Sequence, residues 1–68
     1  MQEISITFRL AEAIRQSGMS QTTIANKLNV SQSTIAHYIK GDIMPSLETF
    51  AELCKILDLD ANYVLCLK

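Results

Sequence analysis

Residues 20–41 are the part of this 68-residue chain that most restricts how it can fold. They read SQTTIANKLNVSQSTIAHYIKG, in which two helical patterns are separated by a two-residue link that begins with Asn29. Ser20 and Ser31 are residue types that favour the N-cap of a helix, and Asn29 is the non-glycine type that best tolerates a left-handed backbone. Because so short a link cannot let two helices run side by side, the helices must cross steeply. We expect a small residue at that crossing, and Ala25 is placed to supply it.

Apolar spacing predicts three further helices around this pair. The first covers residues 6–16 and is followed by Gly18, the fourth begins after the cap Ser46, and the short fifth begins after the cap Asp60. The fourth helix is expected to bury Leu47, Phe50, Ala51, Cys54, Ile56 and Leu57. No β-type alternation persists anywhere in the sequence. The fold class is therefore predicted to be all-α, a compact five-helix domain over residues 1–68 with the steep helix pair at about residues 20–40.

Composition argues against both a disordered chain and an enzyme. Hydrophobic residues make up 49% of the sequence, which is too many for a disordered tail. There is no glycine-rich phosphate loop and no carboxylate pair framed by a pocket, and His37 has no nucleophile at a triad-like spacing. Cys54 and Cys66 are expected to be small buried hydrophobes, since two thiols supply only half of a zinc shell. We therefore expect no catalysis, cofactor, metal or small-molecule substrate.

Charge is unevenly divided along the chain although the net charge is only −1. Residues 1–40 carry four basic and two acidic side chains, whereas residues 41–68 carry two basic and five acidic ones. The first half is thus weakly positive and the second half is acidic. The N-terminal sequence lacks the pattern of a signal peptide, and no apolar run is long enough to span a bilayer, so a cytoplasmic protein without a membrane partner is expected.

The second helix of the steep pair is expected to project away from the body of the domain. The major groove of B-DNA is about 12 Å wide and admits one such helix. The residues of this helix with no expected core role are Gln32, Ser33, Ala36 and His37. Glutamine can bond an adenine edge through two hydrogen bonds, and serine is a smaller, less discriminating partner. These four residues are our candidates for base contact in a helix-turn-helix.

The chain resembles the Cro/repressor-type, or lambda-repressor-like (XRE), family of helix-turn-helix DNA-binding domains. The motif that carries the resemblance is Gly-Met-Ser-Gln at 18–21, Ile24-Ala25, Leu28, Val30-Ser31-Gln32-Ser33, Ile35, Gly41, Pro45 and Ser46-Leu47. The resemblance implies that Gln21 buttresses Gln32, which reads an adenine, and that Ser33 contacts a base. It also implies that His37 faces the groove and that Lys40 touches the DNA backbone. If His37 contacted phosphate instead, binding would tighten as the histidine gains its proton.

The resemblance further implies a transcriptional repressor that binds double-stranded DNA as a homodimer and reads a pseudo-palindromic operator by occupancy. Short members of this kind are typical of bacteria, phages and mobile elements. Candidates for backbone contact or buttressing are Gln21, Thr23, Lys27, Ser31, Lys40 and Arg9. Candidates for the dimer interface are Tyr63, Val64 and Leu67, of which part must close the core.

Three departures from the family pattern affect this reading. Asn29 replaces the usual turn glycine, and an apolar pair, Ile14 and Ile39, stands where some relatives have a buried Arg–Glu pair. Asp42 and Met44 lie in a loop that often carries basic phosphate contacts. The acidic loop keeps two alternatives open: a protein-interaction module with weak or no DNA binding, and an antitoxin-like protein that also binds a protein partner.

Overall fold

The computed structural model describes residues 5–67, which contain five helices joined by short connections. In chain order they are α1 (Ile6–Gln16), α2 (Gln21–Leu28), α3 (Gln32–Lys40), α4 (Leu47–Leu57) and α5 (Ala61–Val64). This described range contains no strand. The all-α, five-helix prediction is confirmed.

Every helix begins at a residue whose side chain caps it. An oxygen of each capping side chain accepts a hydrogen bond from the backbone N–H three residues later, and the caps are Ser5, Ser20, Ser31, Ser46 and Asp60. Such a bond satisfies one of the amides that a helix start leaves without a partner. The starts of α2 to α5 therefore lie where the sequence predicted them.

Left-handed residues end the three middle helices. Asn29 has φ 63° after α2, Gly41 has φ 87° after α3, and Asp58 has φ 54° after α4. Glycine meets no steric penalty at such a φ, and Asn and Asp are the L residues that accept it best. These residues turn the chain sharply, so that connections of a few residues suffice between the helices.

The core lies around α3, which packs against α1 on one side and α2 on the other. α2 also packs against α4, and α5 packs against α1. The side chains with less than 2% exposure are Leu10, Ile14, Ile24, Ile35, Leu53 and Val64. All five helices therefore contribute to one apolar centre that holds α3 in place.

The predicted buried face of α4 is partly wrong. Leu47 is 85% exposed, and Ala51 is also exposed, whereas Leu53 is fully buried and was not predicted. Phe50, Leu53 and Leu57 follow the spacing of three and four residues that puts side chains on one side of a helix. Ala51 lies one residue, or about 100°, away from this line, and Leu47 belongs to the first turn, which extends past the core.

The three residues predicted for a dimer interface divide into two groups. Val64 is 1% exposed and belongs to the core, so it has no surface to offer a second copy. Tyr63 is 50% exposed and Leu67 is 69% exposed. Of the three candidates, only Tyr63 and Leu67 therefore offer exposed surface for the predicted homodimer.

The cysteines also differ from the prediction. Cys54 is half-buried in α4, and burial raises the pKa of its thiol. Cys66, just after α5, is exposed and has a left-handed φ of 62°. Only Cys54 therefore behaves as a hydrophobic filler.

Candidate nucleic-acid interface

The corner between α2 and α3 has the geometry expected of a steep crossing. Asn29 adopts φ 63° and ψ 42°, and the N–H of Val30 donates to the carbonyl oxygen of Ala25 at 3.0 Å. Ala25 itself is 3% exposed and belongs to the core cluster. A methyl side chain at this place lets α2 approach its neighbours closely. The corner therefore sets the direction in which α3 leaves α2.

The two sides of α3 have opposite character. Ile35 is 0% exposed and Tyr38 is 5% exposed, so both face the core. Gln32 and Ser33 are exposed, and Ala36 and His37 are half-buried. The four predicted base-contacting residues thus lie on the helix surface that remains outside the core.

The start of α3 is fixed by a cluster of hydroxyl groups. Ser31 Oγ accepts a hydrogen bond from the N–H of Thr34 at 3.3 Å. The same oxygen lies 3.0 Å from Ser33 Oγ and 2.9 Å from Thr34 Oγ1. The Ser31 side chain therefore already acts as the helix cap. The Ser33 hydroxyl is held in a defined position and can still form a hydrogen bond with a second partner.

The start of α2 is built in the same way. The N–H of Thr23 donates to Ser20 Oγ at 3.1 Å, and Ser20 Oγ donates to Thr23 Oγ1 at 2.9 Å. Gln21 is half-buried next to this cap. Among residues 5–67 no hydrogen bond joins the side chains of Gln21 and Gln32, so the predicted buttress stays a prediction.

A side-chain hydrogen bond that the sequence did not predict lies at the far end of α3. Nδ1 of His37 is 3.0 Å from Asp42 Oδ1 and 3.2 Å from Asp42 Oδ2. The left-handed Gly41 turns the chain back at the end of α3, which brings the carboxylate over the helix. The hydrogen bond from His37 holds the pKa of Asp42 below its usual value, with smaller contributions from the charges of His37 and Lys40. A glycine C-cap followed by an acidic residue, with histidine four residues before the glycine, is the signal that could have indicated this pair.

The basic residues near this surface are few. Lys27 and Lys40 are exposed, and Lys40 Nζ lies 4.0 Å from Asp42 Oδ2. Arg9 contacts α5 in this structure, and its predicted contact with the DNA backbone stays a prediction. Its Nη1 donates to the carbonyl oxygen of Tyr63 at 2.6 Å, and its guanidinium lies 4.3 Å from the centre of the Tyr63 ring. A hydrogen bond and a cation–π contact therefore fasten Arg9 to α5.

Two other kinds of feature are absent from the described range. Residues 5–67 bring together no group of three or more His, Cys, Asp or Glu side chains that could hold a metal ion. None of the five helices has both the length and the apolar character that crossing a membrane requires.

Comparison with known proteins finds a family match that covers most of the chain. A family model described as helix-turn-helix matches residues 10–64, a range that begins within α1 and ends with the last residue of α5. No curated protein and no solved structure matches the chain. The match covers the α2–α3 corner together with the helices that hold α3 in position.

Proposed function

The chain belongs to the XRE/lambda-repressor-like helix-turn-helix family of DNA-binding transcription regulators, and on that premise we propose that it reads a specific duplex sequence through α3. The observation that carries the proposal is the division of α3 into two sides. Ile35 and Tyr38 anchor the helix, while Gln32 and Ser33 remain exposed at its start. A rigidly held helix with free polar side chains suits insertion into a major groove.

Each candidate residue has a distinct role in this proposal. Gln32 reads an adenine edge, and Ser33 and His37 contact neighbouring bases, with Ala36 giving the bases room to approach. The first amides of α2 and α3 point toward phosphate oxygens, near Gln21 and Gln32 respectively. Thr23, Ser31, Lys27 and Lys40 lie along these helices and add backbone contacts or hold the helix starts in place.

We propose that the protein acts as a homodimer and as a repressor. Tyr63 and Leu67 supply exposed apolar surface at the α5 end of the molecule. A two-fold dimer places two α3 helices about 34–36 Å apart, or a multiple of this distance, on a pseudo-palindromic operator. Occupancy of such an operator is sufficient to block transcription.

A protein-interaction or antitoxin-like role is the second candidate. The observation that favours it is the exposed apolar surface just beyond α3: Ile43 is 47% exposed, Met44 is 49% exposed and Leu47 is 85% exposed. Asp42 places a negative charge between α3 and this surface. A partner protein could bind there without any contribution from DNA.

Selection from randomised duplex DNA with purified protein tests the main proposal. We expect an inverted repeat, and binding that weakens steeply between about 50 and 200 mM salt. Replacing Gln32 by Ala should cost about 1–3 kcal/mol on the selected site and relax the preference at one base pair. Gln16→Ala is the matched control, because Gln16 is an exposed glutamine on α1.

The alternatives give different results in the same experiments. Equal losses on all sequences would remove Gln32 from base reading. Recovery of no motif, with retention that disappears as salt rises, would favour the protein-interaction role. Co-purification of a second polypeptide together with a selected motif would favour the antitoxin-like role.

A further inference from the structure

His37 is the only histidine of the chain, and one of its two ring nitrogens is already engaged in the free protein. Nδ1 lies within hydrogen-bond distance of both Asp42 oxygens, at 3.0 and 3.2 Å. The lowered pKa of Asp42 keeps this carboxyl ionised at neutral pH, and a carboxylate only accepts hydrogen bonds. The ring proton of neutral His37 must therefore be on Nδ1, which leaves Nε2 without a proton.

The state of Nε2 determines which base edges the imidazole can bond. A bare Nε2 accepts hydrogen bonds, and the donors in the major groove are the amino groups of adenine and cytosine. An imidazole with its proton on Nε2 would instead donate to O6 or N7 of guanine, O4 of thymine or N7 of adenine. The position of the ring proton therefore decides whether the side chain can bond to cytosine, which offers only a donor.

We propose that Asp42 is a positioning residue that sets the base preference of His37. Through the Nδ1 hydrogen bond it leaves Nε2 of His37 as an acceptor, which selects an adenine or a cytosine. The proposal rests on the proposed function, because it requires the outer face of α3 to lie against base edges.

Asp42 is the charged group that controls the imidazole. α3 packs against α1 and α2, whose charged residues within the described range are Arg9, Glu12, Arg15 and Lys27. Arg9 is fastened to Tyr63, and Glu12 pairs with Arg15 at 2.7 Å. Lys27 is exposed on α2. On α3 itself, Lys40 Nζ lies 4.0 Å from Asp42 Oδ2.

Asp42 also has a second, simpler effect on DNA binding. Its side chain is 49% exposed, and a negative charge beside the groove repels phosphates on every sequence. Removal of this charge strengthens binding by the same factor on all duplexes. A change in base preference is therefore the observation that separates positioning from plain repulsion.

Nitrogen NMR of the imidazole in the DNA-free protein tests the first step. A single histidine gives an unambiguous signal, and at about pH 8 we expect the proton on Nδ1 and none on Nε2. In Asp42→Asn the single Nδ1–H form should be lost, because an amide can donate as well as accept. A wild-type imidazole with its proton on Nε2 would overturn the proposal, whether or not the protein binds DNA.

Duplex selection tests the second step. At about pH 8 the wild-type protein should prefer adenine or cytosine at the His37 position by roughly two- to tenfold, the value of one net hydrogen bond. Asp42→Asn should lose the preference seen at about pH 8 while it keeps the rest of the motif.

Glu48→Gln is the matched control, because it removes a carboxylate from the exposed first turn of α4. It should raise affinity on all duplexes and leave the preferred bases unchanged. If Asp42→Asn behaved in the same way, Asp42 would act only through its charge and the proposal would fall. If the wild-type protein selected no motif, the proposed function would fail together with this inference. Far-UV circular dichroism of each variant checks that the helices are intact.

Discussion

Replacement of Ala25 by Leu is expected to destabilise the domain at the point where α2 approaches its neighbours. Ala25 is 3% exposed, and its carbonyl oxygen accepts the N–H of Val30 that closes the corner before α3. A leucine side chain has no open space to occupy there. It must displace the core or push α2 outward, and either movement disturbs the corner.

Packing data allow the size of this effect to be stated. Additional methylene groups in a well-packed core cost about 1–3 kcal/mol. A small domain loses about 4–8 °C in Tm for each kcal/mol, so Ala25→Leu should lower Tm by roughly 4–24 °C. A domain of this length has a total stability of about 3–10 kcal/mol, which makes the upper end of this range a substantial part of the whole.

Urea denaturation followed by far-UV circular dichroism measures the free energy of unfolding directly. The midpoint should fall while the slope stays constant, since the surface exposed on unfolding is nearly the same. Ala51→Leu is the matched control, because Ala51 is an exposed alanine in the middle of α4. The same substitution at this exposed position should change stability by no more than about 0.5 kcal/mol.

Equal midpoints for the two variants would refute the reasoning. Such a result would mean that α2 has room for a leucine at this place, and that the close approach of α2 does not determine the corner. A loss of DNA affinity without any loss of stability would point instead to a local shift of α3.

Three further predictions concern the core, the corner and the effect of pH. Leu53→Ala should cost about 2–5 kcal/mol in urea denaturation, whereas Leu47→Ala should stay within about 0.5 kcal/mol, because the first side chain is 0% exposed and the second 85%. Asn29 has a left-handed φ of 63°, which is sterically unfavourable for valine and not for glycine. Asn29→Val should therefore cost at least about 1–2 kcal/mol in the same assay, while Asn29→Gly should not carry this steric cost. Because the pKa of Asp42 is lowered in the folded protein, the ionised carboxyl stabilises the fold at pH values above 3.8, its ordinary pKa. This stabilisation is lost as the pH falls through the folded-state pKa. The Tm difference between the wild-type protein and Asp42→Asn should therefore shrink in acid.

The parts of the fold that depend on neighbouring residues could be predicted from the sequence. Ser20, Ser31 and Ser46 begin their helices and Asn29 and Gly41 end theirs, because capping and left-handed turns are satisfied within a few residues. The buried side of α4 could be predicted only in part. The prediction included every apolar residue of α4 except Leu53, and the position of the core relative to the first turn of α4 depends on tertiary packing.

Two kinds of contact in the site could not be predicted: contacts between residues far apart in sequence, and contacts formed where the chain reverses direction. Arg9 and Tyr63 are 54 positions apart, and only the packing of α5 against α1 brings them together. His37 and Asp42 are close in sequence, but His37 lies within α3 and Asp42 lies just beyond the end of this helix. Helical periodicity ends at the left-handed Gly41. It therefore could not predict that the carboxylate of Asp42 lies next to His37.

The separation of the two sides of α3 has a consequence for how proteins of this shape can diverge. Ile35 and Tyr38 hold the helix, and Ser31 begins it, whereas Gln32 and Ser33 take no part in the core. Mutations at the two exposed positions cost little folding free energy and are therefore available to drift and selection. A gene duplicate could in this way acquire a new operator in a few steps while it keeps its scaffold, and two such regulators could become independent of each other within one genome.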